Sequence, residues 1–418
     1  MNKQENANKD NNSVLYIAFH YPPIIGSSGV HRTLAFTRYL NEHNWDTTVL
    51  TSSLKAYEMW SKEQFDFIPK GVKVIRAFGR STAKDLSFKG KYLSWMALPD
   101  NWQSWIFGGV ISGFIAIKKN RPKVIVSTYP IASAHIIAYI LHKLTDVPWV
   151  ADLRDPMAQE NYPSDPRKKK IFHWIERKII KHCKNAIVTT SGTLQLYRER
   201  FPAVPSSFWQ LVSNGYDKKM FNELTISEKV EKDKITLLHS GLIYPSERDP
   251  LPLFQALARL KEQGKINTQK FELRLRATGH DAVYAPILEE LNISDIVTLQ
   301  PAVPFKQALD EMVSVDCLLL LQAANCDYQI PAKAYEYLKA NKPVLALTTK
   351  EGDTGQLMAR SPKTTIARLD DEREIFTALS TFIEEVKFGD YESLSEAEIE
   401  SYSRQSQANI FEEILKNN

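Results

Sequence analysis

Short apolar, β-branched runs alternate with helical patterns along almost the whole chain, and this alternation limits the possible folds more than any other feature. SVLYIAF (13–19) reads as a strand, GVHRTLAFTRYLNEH (29–43) as a helix and DTTVLT (46–51) as the next strand. VKVIRAF (72–78), KVIVST (123–128), PWVADL (148–153) and NAIVTTS (185–191) continue the series, with helical spacing at 103–118, 131–144, 167–183 and 192–201. Strands that alternate with helices predict a parallel sheet covered on both faces.

The series then starts again. KITLLHSG (234–241), KFELRLRATG (270–279), IVTLQPAV (296–303), VDCLLLLQ (315–322), PVLALT (343–348) and TTIARL (364–369) read as strands with helices between them. The expectation is an α/β chain of two doubly wound, Rossmann-like domains facing a cleft. The break falls near 203–232, where AVPSS precedes a short strand and the charged EKVEKDK. The predicted divisions are a disordered tail at 1–12, a first domain at 13–205, a second at 206–390 and a C-terminal segment at 391–418. That segment includes YSRQSQANIFEEILKNN (402–418), amphipathic by spacing. A length of 418 residues suits two to three domains.

Composition removes several classes. A formal charge of +4 does not make a nucleic-acid binder. Three cysteines, Cys183, Cys317 and Cys326, have no metal-finger spacing and do not make a disulfide framework, which fits a reducing cytosol. The first dozen residues lack the apolar core of a signal peptide. WIFGGVISGFIAI (105–117) is short of the ~20 residues that span a bilayer. It reads as a buried helix, with contact at a membrane interface as the second option.

In open α/β sheets ligands bind at the carboxyl ends of strands, so the loops there are the candidates. FHYPPIIGSSGVHR (19–32) places Gly26 and Gly29 around two serines just before a helix, where free N–H groups favour an anion. A tight strand-to-helix turn would use the same residues. VADLRDPMAQ (150–159) sets Asp152, Arg154 and Asp155 after a strand, suited to sugar hydroxyls, to a developing charge, or to a structural ion pair that closes the loop. His135, in STYPIASAHIIAY (127–139), either hydrogen-bonds a substrate hydroxyl or is a partly exposed helix residue. In HSGLIYPSERDP (239–250), Ser240 and Gly241 allow close backbone approach, and Arg248 can clamp a diphosphate. RATGHD (276–281) and QPAVPFKQ (300–307) are further small, polar loops at strand ends.

QIPAKAYEYLKANKPVLAL (329–347) reads as a helix, a turn and a strand. Pro331 suits the first helical position, because its missing N–H would be unpaired there anyway. Lys333 puts a positive charge in the first turn, against the helix dipole, which makes sense if a phosphate is the partner. Glu336 can accept two hydrogen bonds from the vicinal hydroxyls of a ribose. A solvated helical glutamate is the bland alternative.

These motifs, together with EGDTGQL (351–357), resemble the GT-B glycosyltransferases, and among them the retaining family 4 group that builds bacterial surface polysaccharides. The resemblance covers nearly all of the chain after the polar start. It implies a nucleotide-sugar donor, UDP-linked by default, in the second domain, an acceptor site in the first, and a final helix crossing back to the first domain. It implies that Glu336 holds the ribose, that Arg248 and Lys333 hold the diphosphate, and that Gly26 to Gly29, Asp353 and Thr354 lie close to it. It implies no cofactor beyond the substrate. Two departures stand out. Many relatives carry a second glutamate, contacting the sugar, where this chain has Tyr328 beside Asp327. Gly-Gly pairs of the first loop are replaced by Ser27 and Ser28.

The reaction expected is a sugar transfer in which cations and helix starts stabilise the leaving diphosphate. Asp155 and His135 are the catalytic candidates; Asp152, Arg154 and Tyr328 are the acceptor or sugar contacts. No Asp-x-Asp stands at a strand end, so metal independence is expected. RKKKIFHWIERKIIKHCK (167–184) carries eight Lys/Arg and one Glu, with an apolar stripe of Ile171, Trp174, Ile175, Ile179 and Ile180. A basic amphipathic helix of this kind suits an anionic membrane surface and a saccharide or lipid-linked acceptor. A cytoplasmic enzyme, peripheral on the inner face of the membrane, follows. Two alternatives stay open: a sugar-nucleotide 2-epimerase of the same architecture, and a non-catalytic partner that binds a nucleotide sugar.

Overall fold

Every described strand runs parallel to its neighbours, in two separate sheets. The structure is a computed structural model and describes residues 12–25, 29–89, 91–160, 162–224, 234–245, 248–389 and 391–418. The tail expected at 1–12 lies outside these but for Asn12, as do Gly26, Ser27 and Ser28 of the first loop.

The first unit comprises the chain up to Asn214 together with Arg404–Asn418. Its elements are β1 (Ser13–Ile17), α1 (Gly29–Glu42), β2 (Asp46–Ser52), β3 (Lys73–Ala77), α2 (Thr82–Asp85), α3 (Ser104–Asn120), β4 (Val124–Thr128), α4 (Ser133–Thr145), β5 (Trp149–Arg154), α5 (Pro166–His182), β6 (Asn185–Val188), α6 (Ser191–Arg200) and β7 (Trp209–Leu211). The seven-stranded sheet has the order β3-β2-β1-β4-β5-β6-β7.

The second unit, Gly215–Ser403, holds α7 (Lys218–Asn222), β8 (Ile235–Ser240), α8 (Leu251–Glu262), β9 (Phe271–Arg276), α9 (Asp281–Glu290), β10 (Val297–Gln300), α10 (Phe305–Ser314), β11 (Cys317–Leu321), α11 (Ala332–Ala340), β12 (Val344–Leu347), α12 (Asp353–Met358), β13 (Thr364–Ala367), α13 (Glu372–Phe388) and α14 (Glu396–Ser401). Its six strands run β10-β9-β8-β11-β12-β13. The last helix, α15 (Arg404–Lys416), belongs to the first unit.

Both sheets are buried on both faces, which is why their strands read as near-continuous apolar runs. In β1, Leu15 and Ile17 face the core made with α3, α4 and α5, while Val14 and Tyr16 face the core made with α1 and α15. In the second unit, Leu319 and Leu321 of β11 point to one core, and Leu318 and Leu320 to the other.

Unit one extends past the expected boundary at 205. β7 pairs with β6, and Arg32 of α1 donates to the carbonyls of Val212 (3.0 Å) and Ser213 (2.8 Å), so the chain leaves this unit only after Asn214. At the other end only Arg404–Asn418 returns, while α14 stays with unit two. Phe411 of α15 stacks on Phe36 at 4.7 Å, and Glu412 accepts from Trp45 Nε1 at 3.1 Å.

α3 departs from its expected burial. Trp105 and Ile117 are buried, but Phe107 is 72% exposed. The inward face is built of glycine: a Cβ at Gly108 would lie 2.2 Å from the carbonyl oxygen of Phe78, and one at Gly113 would lie 2.5 Å from Leu141. The helix sits close to the sheet and α4 along its glycine face, and Phe107, Ile111 and Ile115 turn outward. No described helix is long and apolar enough to cross a membrane.

α5 also differs from the expected stripe. Phe172, Ile175 and Ile179 are buried with Glu176, while Trp174 is turned outward and forms an edge contact with Tyr139. Glu176 is buried because Arg200 and Tyr197 satisfy its carboxylate at 2.8 and 3.0 Å.

Candidate functional site

In the second sheet the chain moves from β8 outward to β9 and β10, then returns to the other side of β8 with β11. The point between β8 and β11 is where strand order reverses, the place at which such sheets leave a crevice for ligands. Four of the candidate donor residues gather there.

β8 ends in His239 and Ser240, and Gly241 follows it. The wholly buried His239 places Nδ1 2.9 Å from the carbonyl of Leu319 on β11. A carbonyl only accepts, so Nδ1 carries the ring proton and Nε2 presents a lone pair. Nε2 lies 3.2 Å from Nζ of Lys333, the second residue of α11. Burial, with the Lys333 charge next, holds the imidazole well below its usual range and keeps it neutral. Burial first and Arg248 second bring the Lys333 ammonium down to about 7, with Glu336 acting in the opposite sense. Gly241 lies at φ 117°, and a Cβ there would be 3.1 Å from Lys333 Nζ. Only glycine combines that backbone with that clearance.

Arg248 donates to Gln322 Oε1 at 3.4 Å and to the carbonyl of Leu242 at 3.2 Å, and its guanidinium lies over the ring of Tyr244. Its Nε is buried and makes no hydrogen bond among the described residues. Gln322, buried at the end of β11, also donates to Cys326 O at 3.3 Å.

α11 starts one residue later than expected: Pro331 is the N-cap, extended at φ −63° and ψ 140°, with no side-chain cap. The N-cap residue therefore caps none of the first-turn amide donors with its side chain. Glu336 is buried, 7% exposed, between the buried Tyr335 and Tyr337, and lies one turn beyond Lys333. It is thus not the solvated helical glutamate of the bland reading.

Asp353 and Thr354 are buried at the start of α12. The Asp353 amide donates to Asp327 O at 2.8 Å, and Thr354 Oγ1 donates to Gln329 O at 2.8 Å. Asp327 also accepts from Thr349 Oγ1. These bonds tie α12 to the segment that leads into α11, and the Thr354 hydroxyl is used in that tie. Tyr328 is 45% exposed between them.

Asp152 is wholly buried and is held by Arg32, whose Nε and Nη2 each lie 3.2 Å from one of its oxygens, and by Thr128 Oγ1 at 3.0 Å. It is a structural ion pair, with a partner from α1 rather than its own loop. His135 is wholly buried, not partly exposed: Nδ1 lies 2.7 Å from Ser127 Oγ, and burial lowers its pKa to about 4. Arg154 adopts a left-handed φ of 59° at an irregularity between β5 and β6 and donates to Tyr129 O at 3.1 Å. Asp155 is partly buried, and burial pushes its carboxyl up against the opposing pull of Arg154 and Arg32. Gly29 opens α1; Gly26 lies outside the described residues.

Sequence reasoning passed over three residues here. His239 stood inside the quoted HSGLIYPSERDP, immediately before Ser-Gly at a strand end, which was its one signal. Gln322 and Arg32 carried none, because their partners are 74 and 120 positions away. Among the described residues no group of three or more His, Cys, Asp or Glu side chains is arranged to hold a metal ion.

Residues 29–215 match the model of the Glycosyl transferase 4-like domain. Among solved structures the chain is similar to Anabaena HepE in complex with UDP (13% identity, TM-score 0.67, covering 97% of this chain and 100% of that one). It is similar to the lipopolysaccharide outer core galactosyltransferase WaaB in its apo form (13%, 0.63, 97% and 99%). It is also similar to UDP-GlcNAc 2-epimerase from Neisseria meningitidis bound to UDP-GlcNAc (12%, 0.59, 97% and 100%). Compared by sequence with curated proteins, the chain finds no match. The first unit thus matches the Glycosyl transferase 4-like domain model over residues 29–215, and the chain has the fold of the GT-B glycosyltransferases.

Proposed function

We propose that the protein transfers a glycosyl group from a nucleoside-diphosphate sugar to a saccharide or lipid-linked saccharide acceptor, with retention at the anomeric carbon, in cell-surface polysaccharide synthesis. The observation that carries this is the Lys333–His239–Arg248 cluster at the strand-order reversal of unit two. Burial first, and the neighbouring Arg248 charge second, make the Lys333 ammonium costly and bring its pKa down to about 7. A diphosphate relieves that cost, and the α11 amides add donors to it. Glu336, one turn further, accepts from the ribose hydroxyls. UDP is the nucleotide proposed, supported by structural neighbours that hold UDP or UDP-GlcNAc.

In this reading the enzyme acts on the leaving group. Lys333, Arg248 and the helix start take up the negative charge that grows on the diphosphate as the glycosidic bond breaks. Asp353 and Thr354 shape the loop beside it, and Tyr328 faces the sugar. On the acceptor side Arg154 and Asp155 are the proposed contacts; burial keeps the Asp155 carboxyl raised, which suits a group that takes a proton from an attacking hydroxyl. No step needs a metal, so an added chelator leaves turnover unchanged. The basic face of α5, with Arg177 and Lys181 exposed, meets the anionic inner face of the cytoplasmic membrane.

The test is a thermal-shift screen of nucleotide sugars, followed by turnover with and without acceptor. A ligand at 100 times its dissociation constant stabilises by about 2.7 kcal/mol. Donor consumption that requires acceptor supports transfer. Turnover of donor alone supports the epimerase reading, favoured by the similarity to UDP-GlcNAc 2-epimerase. No stabilisation by any nucleotide sugar overturns both.

A further inference from the structure

We propose that the outer face of α3, together with Phe88, Leu93 and Trp95 from the chain before it, inserts into an anionic lipid bilayer surface. This rests on the membrane reading above and supplies the apolar element that a basic helix alone lacks. Phe107, Ile111 and Ile115 are 72%, 63% and 62% exposed. Their spacing of four places them along one helix face, a ridge about 12 Å long. Phe88, Leu93 and Trp95 are 79%, 62% and 59% exposed. The chain that flanks these residues is bonded together at the start of α3: Thr82 Oγ1 donates to Met96 O (2.7 Å), the Thr82 amide donates to Asn101 O (2.8 Å), and Ser104 Oγ donates to Arg80 O (3.1 Å). Large apolar side chains this exposed, and this close along the chain, mark an interaction surface.

Charge selects the occupant. Residues 78–123 contain eight Lys/Arg and two Asp. One of the two, Asp100, is buried and spent on the Ser133 amide and hydroxyl (2.8 and 2.9 Å). The run 101–117 has no charged residue, and the ridge ends directly at Lys118 and Lys119. An aromatic and aliphatic ridge bordered by lysines is the chemistry of a segment lying in the headgroup boundary of anionic lipid. α4 packs against both α3 and α5, and all three cover the same face of the sheet. The basic α5 surface therefore lies in the same helical layer as the ridge. A protein partner would need no such surplus of cations.

The experiment is flotation of the full chain with phosphatidylglycerol-containing vesicles and with phosphatidylcholine vesicles, at low and high salt. Three proteins are compared: wild type, a ridge variant (Phe107→Ser, Ile111→Ser, Ile115→Ser) and an α5 variant (Arg177→Glu, Lys181→Glu). The expected result is wild-type binding to anionic vesicles that survives in part at ~1 M salt, where screening acts within ~3 Å. The ridge variant binds at least about tenfold more weakly, and what remains is lost in salt. Should the substitutions impair folding, lipids brominated on their acyl chains give a second measurement: they quench wild-type tryptophan fluorescence, and Trp95→Phe removes that quenching. Ridge and wild-type proteins binding alike, with only the α5 variant impaired, would overturn the insertion and leave the electrostatic reading. Failure of the wild type to bind any vesicle would end both. A ridge variant that changes self-association but not vesicle binding would assign the face to a protein partner instead.

Discussion

Nζ of Lys333 lies 3.2 Å from Nε2 of His239, and the imidazole is the acceptor because its other nitrogen is bound to the Leu319 carbonyl. A neutral histidine thus aims an ammonium that is itself close to losing its proton. His239 is a positioning residue in this arrangement.

The pH dependence of donor binding follows. Free Lys333 titrates at about 7, and a bound diphosphate raises that pKa. Binding is therefore strongest below pH 7 and weakens as pH rises from about 7 towards the bound value, with uptake of a proton. Calorimetry of UDP binding in buffers of different ionisation heat measures that uptake. In the free protein the sign is opposite. The unfolded chain binds the lysine proton more tightly, so this group costs stability below about 7 and the cost fades towards pH 10. Lys333→Met melts higher than wild type at pH 6, and the gap closes by pH 9–10.

Glu336→Ala weakens UDP by about 2–4 kcal/mol, the worth of two charge-assisted hydrogen bonds to the ribose. A 2′,3′-dideoxy analogue of UDP binds the variant and the wild type equally. If the variant lost the analogue as well, Glu336 would be acting on α11 and not on the sugar of the nucleotide.

Arg32→Ala leaves the Asp152 carboxylate buried and unpaired, at a cost of about 3–5 kcal/mol. It also frees the chain at Val212 and Ser213, which Arg32 binds. Urea unfolding followed by intrinsic fluorescence measures the loss. Arg32→Lys recovers little of it, because one ammonium cannot replace a guanidinium that bonds two carboxylate oxygens and two carbonyls.

Phe411→Ala removes a ring stacked on Phe36 in the core between α15 and the first sheet, and costs about 3–5 kcal/mol. Glu412, on the same helix, has its pKa held low: burial opposes this, but Trp45, Lys416 and His43 together outweigh it. Its contribution is present above the ordinary carboxylate range and is lost as pH falls through the lowered value. Acid titration of wild type against Glu412→Gln shows a difference that disappears at low pH.

The sequence by itself determined the two sheets, because strands buried on both faces must be apolar throughout and parallel strands must be joined by helices. Every strand expected from 13 to 369 forms within a few residues of its reading. It also determined which loops end strands, and so exposed Gly241, Arg248, Lys333 and Glu336 as candidates. What only tertiary structure decided were partners far apart in the chain. Asp152 had the composition of a substrate contact, and its partner in the fold is an arginine 120 positions away. His135 had no local sign of total burial. α3 looked like a buried helix because hydropathy counts residues and not faces. Three glycines on its inner face let the backbone approach so closely that Phe107, Ile111 and Ile115 had nowhere to go but out.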